Sequence, residues 1–241
     1  MIFADSLVDG FLGSNLMGKG LVLAQLLGSV VMVAVIIGKA KELKFLSVVT
    51  RRFLRDFMST HGVLDYYMNR RPSQGSVGVV NIYAQTADRL LGTLAPDVRS
   101  LVAARQADGD NGAALTEREV KLVQSTCDNV LEEELIKVEH GMGVIATVVS
   151  LEPMLGLLGT VWGVLDAFAE MGTAGSANLA TIAPSISAAL VTTVVGLLIA
   201  IPGVIAFSRM NATIRDLTAK MEGFADELNG RIACEYQGRG A

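Results

Sequence analysis

Three stretches of the chain lose their polar positions almost completely. Residues 20–38 (GLVLAQLLGSVVMVAVIIG) hold one amide, Gln25, and no charge; residues 141–165 and 179–207 are similarly apolar. About 20 mostly apolar residues let a helix cross a bilayer, so each stretch predicts a membrane span. The helices of a soluble bundle would keep a polar stripe, and these do not. Only residues 166–178 separate the second span from the third, which predicts a short loop there.

Elsewhere the pattern changes to the helical period. In the segment 39–69, Leu43, Leu46, Val49, Phe53 and Phe57 recur at spacings of three and four, as one face of an amphipathic helix does. RRPSQG at 70–75 ends that pattern, and a second helix is expected over 77–105, with a kink near Pro96. DGDNG at 108–112 reads as a loop. Thr116 followed by Glu119 forms a capping box, so a new helix starts there; with no breaker before Gly141 it is expected to run unbroken into the second span. The third span continues likewise, because Ile214, Leu217, Met221, Phe224 and Leu228 make one apolar face beyond it. The predicted fold is all-α: an integral membrane protein whose three transmembrane helices extend into a cytoplasmic helical bundle. Its expected order is a periplasmic segment at 1–19, spans at 20–38, 141–165 and 179–207, a cytoplasmic helical region at 39–140, a periplasmic loop at 166–178 and a cytoplasmic helix and tail at 208–241.

Charge gives that order its direction. Basic residues gather on the cytoplasmic flanks of spans. Lys39, Lys41, Lys44, Arg51, Arg52 and Arg55 follow the first span, Arg209, Arg215 and Lys220 follow the third, and the stretch 170–178 has none. The first span, preceded by Asp5, Asp9 and Lys19, lacks the flanks of a cleaved signal peptide and reads as a retained anchor with its N-terminus outside. The basic run after it suits anionic lipid head groups.

Composition agrees with this picture. Of 241 residues, 51% are hydrophobic and 18% charged, against about 25% charged in a typical soluble domain; mean hydropathy is +0.47. A net charge of −4 provides no basic face for nucleic acid. Cys127 and Cys234 lie far apart and read as reduced thiols. No metal or nucleotide cofactor is indicated: His61 and His140 have no neighbours at ligand spacing, GKG at 18–20 lacks the rest of a phosphate loop, and DGDNG misplaces the acidic and glycine positions of a calcium loop. No nucleophile stands with a base or metal set, so the chain is not read as an enzyme.

The second and third spans contain residues that lipid alone does not require. Gly156, Gly159 and Gly163 share one side of a helix, where small residues let helices approach closely. At 100° per residue Thr181, Ser185, Ala188 and Thr192 form a stripe on the third span, with Thr193 a quarter turn away. A lone membrane hydroxyl can bond its own preceding turn, but several opposite a span bearing Thr160 favour an ion path. Trp162 reads as an anchor or packing residue.

The stretches GLLGTVWGVL (156–165) and NLATIAPSISAALVTTVVGLLIAIPGV (178–204) closely resemble the ExbB/TolQ branch of the MotA/TolQ/ExbB proton channel family, strongly over 153–210 and along the whole chain in length and topology. The resemblance implies a pore-forming subunit of a bacterial inner-membrane motor. Five identical subunits would enclose, with their second and third spans, the single-span dimer of an ExbD/TolR-like partner, and couple H⁺ or Na⁺ flow to mechanical work on the cell envelope. It further implies that Thr160 and Thr193 line the surroundings of the partner's ion-carrying aspartate, and that Pro184 and Pro202, like Pro153, mark places where a missing backbone donor loosens a helix. Two departures stand out. Ala188 occupies the place of the family's usual glutamate, and Glu152 precedes Pro153 where a small residue is usual. Glu152 is therefore either an ion-path carboxylate, the default for an ionisable group at membrane depth, or a solvated residue at the mouth of its span. The rival expectation, from another class, is a structural membrane scaffold that conducts nothing.

Overall fold

In the computed structural model the described residues are 16–60, 62–69, 75–94, 115–174 and 179–236; side chains at 69 and 173–181 lie outside the description. Among them are six helices and no strand: α1 Leu16–Met58, α2 Asp65–Asn69, α3 Val79–Thr93, α4 Glu117–Glu139, α5 Met142–Ala174 and α6 Leu179–Tyr236. Three helical stretches are long and apolar enough to cross a membrane, and most of each apolar window is unburied within the chain, with 22%, 22% and 28% buried. That outward apolar surface is what lipid, or other membrane helices, would cover. The chain divides into two compact units, one of residues 1–40 and 141–211, the other of residues 41–140 and 212–241.

The second unit is an ordinary water-type core. Phe53, Phe57 and Phe224 are each at most 3% exposed, and with Tyr66 and Tyr83 they form an aromatic cluster with centroids 5.1–5.8 Å apart, mostly in the edge-to-face arrangement that ring quadrupoles favour. The Arg231 guanidinium sits 5.0 Å above the Phe57 ring. Leu43, Leu46, Ile214, Leu217, Met221 and Leu228 are buried, as their spacing predicts. The Tyr83 hydroxyl donates to the Val63 carbonyl at 2.7 Å, and burial holds that phenol well above its ordinary pKa.

The buried carboxylate of this unit is answered locally. Glu134 accepts from the Gly78 N–H at 2.6 Å and from Asn81 Nδ2 at 2.8 Å, closing the start of α3. Gly78 itself has φ 61, and a β-carbon there would stand 2.6 Å from Leu46 Cδ1; both the conformation and the space demand glycine. The Thr116–Glu119 capping box forms as expected, and its hydrogen bonds hold the Glu119 carboxyl below its usual pKa.

Four element boundaries differ from the sequence expectation. The amphipathic stretch is broken before residue 69: α1 ends at Met58, where the Ser59 and Thr60 hydroxyls donate to the Asp56 and Phe57 carbonyls at 2.6 Å each, and the Gly62 N–H turns to Asp65 Oδ2 at 2.8 Å to open α2. Apolar periodicity carries no record of such hydroxyl caps. The second helix spans Val79–Thr93 and stops at Leu94, which is extended at φ −64, ψ 132; residues 95–105, the kink at Pro96, the DGDNG loop and His61 lie outside the described residues. The expected unbroken helix into the second span is interrupted, with His140 extended at φ −54, ψ 136 and Gly141 at φ 84, a value open to glycine because it has no β-carbon. Finally, α5 continues past residue 165 to Ala174, because Asp166 to Glu170 (DAFAE) contains no breaker; most of the expected loop is helix.

The first unit is built on close approach. A β-carbon at Gly156 would stand 2.9 Å from Thr193 Cα and 3.2 Å from the Thr192 carbonyl oxygen, one at Gly159 would overlap the Thr192 side chain, and one at Gly163 would overlap Ala189. On the other side, Gly28 of α1 faces Glu152 Oε1, and Gly203 of α6 faces Met32 and Val149, the latter at 2.8 Å. Pro153 lies within α5, and Pro184 and Pro202 within α6.

Two measurements check this description. Burial raises the Cys127 thiol to about 11, leaving on the order of a hundredfold less thiolate than an ordinary cysteine with a pKa of about 8.5. N-ethylmaleimide on the folded protein at mildly alkaline pH should therefore modify exposed Cys234 and spare Cys127, as peptide mass spectrometry would read. Gly156→Ala, forced against backbone, should cost about 1–3 kcal/mol, seen as a lowered thermal midpoint in detergent. Gly38→Ala, with nothing within 4 Å, should be neutral or stabilising by up to about 1 kcal/mol.

Candidate functional site

Lipid provides no hydrogen-bond partners, so every polar group in a span has to be answered by protein or stay costly. In the first unit the buried ones within the spans, Gln25, Glu152 and Thr192, are gathered together. Gln25 on α1 is fully buried, and its Nε2 donates to the Glu152 carbonyl of α5 at 3.3 Å and to the Thr192 carbonyl of α6 at 3.2 Å. Gly196 makes room for this, since a β-carbon there would stand 2.5 Å from the Glu152 carbonyl oxygen and 2.7 Å from Gln25 Nε2. One amide thus ties all three spans together.

The Gly156 carbonyl is a second junction. The Thr193 hydroxyl donates to it at 2.7 Å and the Thr192 hydroxyl at 3.3 Å, the latter also bonding the Ala189 carbonyl at 2.7 Å. Thr160 donates to Leu157 of its own helix at 2.7 Å. Thr192 is buried, whereas Thr160 and Thr193 are half-buried. In these threonines the hydroxyl proton is spent on a helix carbonyl, so the oxygen's remaining lone pairs can only accept.

Of the predicted stripe, Ser185, Ala188 and Thr192 line one small cleft of about 20 Å³, together with Trp162 and Asp166 of α5 and Gly18 and Leu21 of α1. This is room for about one water molecule. Ser185 also donates to Glu170 Oε2 at 3.1 Å. The cleft places these three residues against α1, while Thr160 and Thr193 are not among its lining. Thr181 stands in the first turns of α6 and its side chain lies outside the description.

Glu152 is 1% exposed. The solvated-mouth alternative is therefore corrected: the side chain is enclosed against Gly28 of α1, with its Oε1 2.5 Å from where a β-carbon would be, at the level of Thr192 and Gly196. Sequence reasoning passed over Gln25, Gly28 and Gly196. The available signal was that Gln25 is the single amide of its span with a glycine three residues on, which puts both on one helix face. Among the described residues no group of three or more His, Cys, Asp or Glu could hold a metal ion.

Comparison with known proteins agrees with the sequence resemblance. The model of the MotA/TolQ/ExbB proton channel family matches residues 99–223, more than half of the chain. The chain is 46% identical over 97 residues to the Tol-Pal system protein TolQ of Pseudomonas aeruginosa, covering 40% of this chain and 41% of that protein. It is 35% identical over 125 residues to the biopolymer transport protein ExbB of Xanthomonas campestris pv. campestris, covering 52% and 49% respectively, and 37% identical over 98 residues to TolQ of Haemophilus influenzae, covering 41% and 43%. The matched stretch thus spans about half, or less, of these curated relatives. With three apolar helices and a family match that takes in both glycine- and threonine-bearing spans, the chain belongs to the MotA/TolQ/ExbB proton channel family, in its ExbB/TolQ branch.

Proposed function

We propose that this protein is the pore-forming subunit of an ion-driven motor in the bacterial inner membrane, with its N-terminus periplasmic and its C-terminus cytoplasmic. Five copies surround the single-span helices of an ExbD/TolR-like partner dimer. Ion flow, of H⁺ or Na⁺, is coupled to mechanical work on the envelope through the partner, and no enzymatic step or cofactor is required. The basic residues that follow the first and third spans support the orientation, and membership of a proton channel family supports the activity.

The observation that carries the reading is the state of the two half-buried threonines. Thr160 and Thr193 spend their protons on the Leu157 and Gly156 carbonyls and so present acceptor oxygens on otherwise apolar spans. Such oxygens suit a passing cation or hydronium and repel nothing positive. Pro184 and Pro202 give α6 the backbone play that stepwise rotation needs, while Gly156, Gly159 and Gly163 keep α5 and α6 moving as one. Ser185, Thr192 and Thr181 extend the polar line along α6. One charge crossing 100 mV releases about 2.3 kcal/mol, enough to repack a helix contact. A non-conducting scaffold would use the Thr193 hydroxyl only to tie α6 to α5.

Ion flux in proteoliposomes holding this protein with its partner tests the reading. Thr160→Val and Thr193→Val keep the side-chain shape and remove one ligand oxygen. A hydrogen bond to a charged group is worth about 1.5–3 kcal/mol, so each should slow flux on the order of tenfold or more; Thr160→Val, whose hydroxyl bonds its own helix, does so with assembly normal, whereas Thr193→Val also loses the bond to Gly156 and is read per assembled complex. Unchanged flux and envelope function in both variants, at normal protein levels, would leave the scaffold as the better account.

A further inference from the structure

The carboxyl of Glu152 has no evident answer in its surroundings. The side chain is 1% exposed in the interior of a membrane-spanning unit, and its Oε2 has no hydrogen-bond partner; neither has Oε1 of the fully buried Gln25. Both orphaned atoms are acceptors, and they belong to residues already joined through the Gln25 amide and the Glu152 carbonyl. What the site lacks is positive charge or a donor.

None of the three helices packed here carries a cationic side chain at this depth. On α1 the charged residues Lys19 and Lys39 stand more than two turns from Gly28; on α5 Asp166 stands more than two turns from Glu152; on α6 Arg209 stands equally far from Gly196. Gly28 leaves space at the Glu152 carboxyl and Gly196 at its carbonyl, while the Thr192 hydroxyl is committed to Gly156 and Ala189. An uncompensated carboxylate in such a place is costly enough that it binds a cation or a proton instead.

We propose that Glu152 is a monovalent-cation site belonging to the subunit itself, its carboxyl holding H⁺ or Na⁺ between α1, α5 and α6 with the Gln25 amide as the positioning group. This rests on the ion-motor reading and adds to it a station separate from the Thr160 and Thr193 oxygens. Because Gln25 links the three spans, occupancy of Glu152 is sensed directly by the packing of α1 against α5 and α6. A proton supplies the missing donor to the orphaned oxygens, and Na⁺ takes them as ligands.

Infrared spectra of the full chain in lipid bilayers, at neutral pH with and without Na⁺, test this without any partner. Solvated glutamates, with a pKa of about 4.3, are ionised there, so a carboxylic-acid C=O band that disappears in Glu152→Gln is the expected signature of a bound proton. Replacement of that band by carboxylate stretches on adding Na⁺, again only with Glu152 present, identifies Na⁺ as the resident ion. Superimposable spectra of the wild type and Glu152→Gln, with no response to Na⁺, would overturn the proposal. Should Glu152→Gln fail to assemble, Glu152→Asp serves instead: a displaced band supports the site and an unmoved one refutes it. A negative spectrum leaves the threonine flux measurement standing, and lost flux leaves the band in place.

Discussion

The separation of α5 from α6 is set at one carbonyl. Gly156 C=O receives the Thr193 and Thr192 hydroxyls, and it can do so because neither Gly156 nor Gly159 carries a β-carbon that would collide with those threonines. In lipid there is no gain from merely hiding apolar surface, so dispersion contacts and hydrogen bonds at short range hold helices together. Close approach is therefore the condition for everything else in the first unit: it brings the Thr192 and Glu152 carbonyls near enough for one amide of α1 to bridge them, and it encloses the Glu152 side chain.

The same economy explains why the fully buried polar side chains within these spans, Gln25, Glu152 and Thr192, sit together. Each one buried in lipid needs a partner: the Gln25 amide nitrogen finds the Glu152 and Thr192 carbonyls, and the Thr192 hydroxyl finds those of Gly156 and Ala189. The groups left over are all oxygens. That leaves an interior biased toward accepting positive charge, which is the electrostatic character a member of a proton channel family has use for. The outward faces of the spans are apolar, Leu26, Leu27, Leu157, Leu165, Leu197 and Leu198 among them, as surface that lipid or other membrane helices would cover is.

The second unit follows different physics. Its aromatic cluster and the buried faces of α1, α3, α4 and α6 are stabilised by removal from water, and its buried carboxylate and helix starts are answered by caps, Thr116 with Glu119 and Glu134 with Gly78 and Asn81, while Thr50 Oγ1 and Asn229 Oδ1 stay without a partner. A glutamate buried there is paired with a backbone N–H, an amide and Lys137. The carboxyl of Glu152 in the first unit has no such set, and this contrast within one chain is the ground for proposing an ion at Glu152 and not at Glu134.

The amino-acid sequence by itself determined the class and the outline of this protein. Span length, the shift from apolar runs to a three-and-four period, the Thr116–Glu119 cap and the ordered glycines and threonines of the second and third spans are all local patterns, and local patterns are legible because they reflect helix geometry and lipid solubility. The breaks at Met58 and at His140–Gly141 were not legible, since side-chain caps and a positive φ at glycine leave the hydrophobic period untouched. Only the tertiary structure decided which polar residues meet. Gln25, Glu152 and Thr192 are separated by more than a hundred positions from first to last, and whether Glu152 faces water or the inside of the unit depends on the packing of α1 across Gly28 and Gly196, a contact between distant segments that no spacing within one helix encodes.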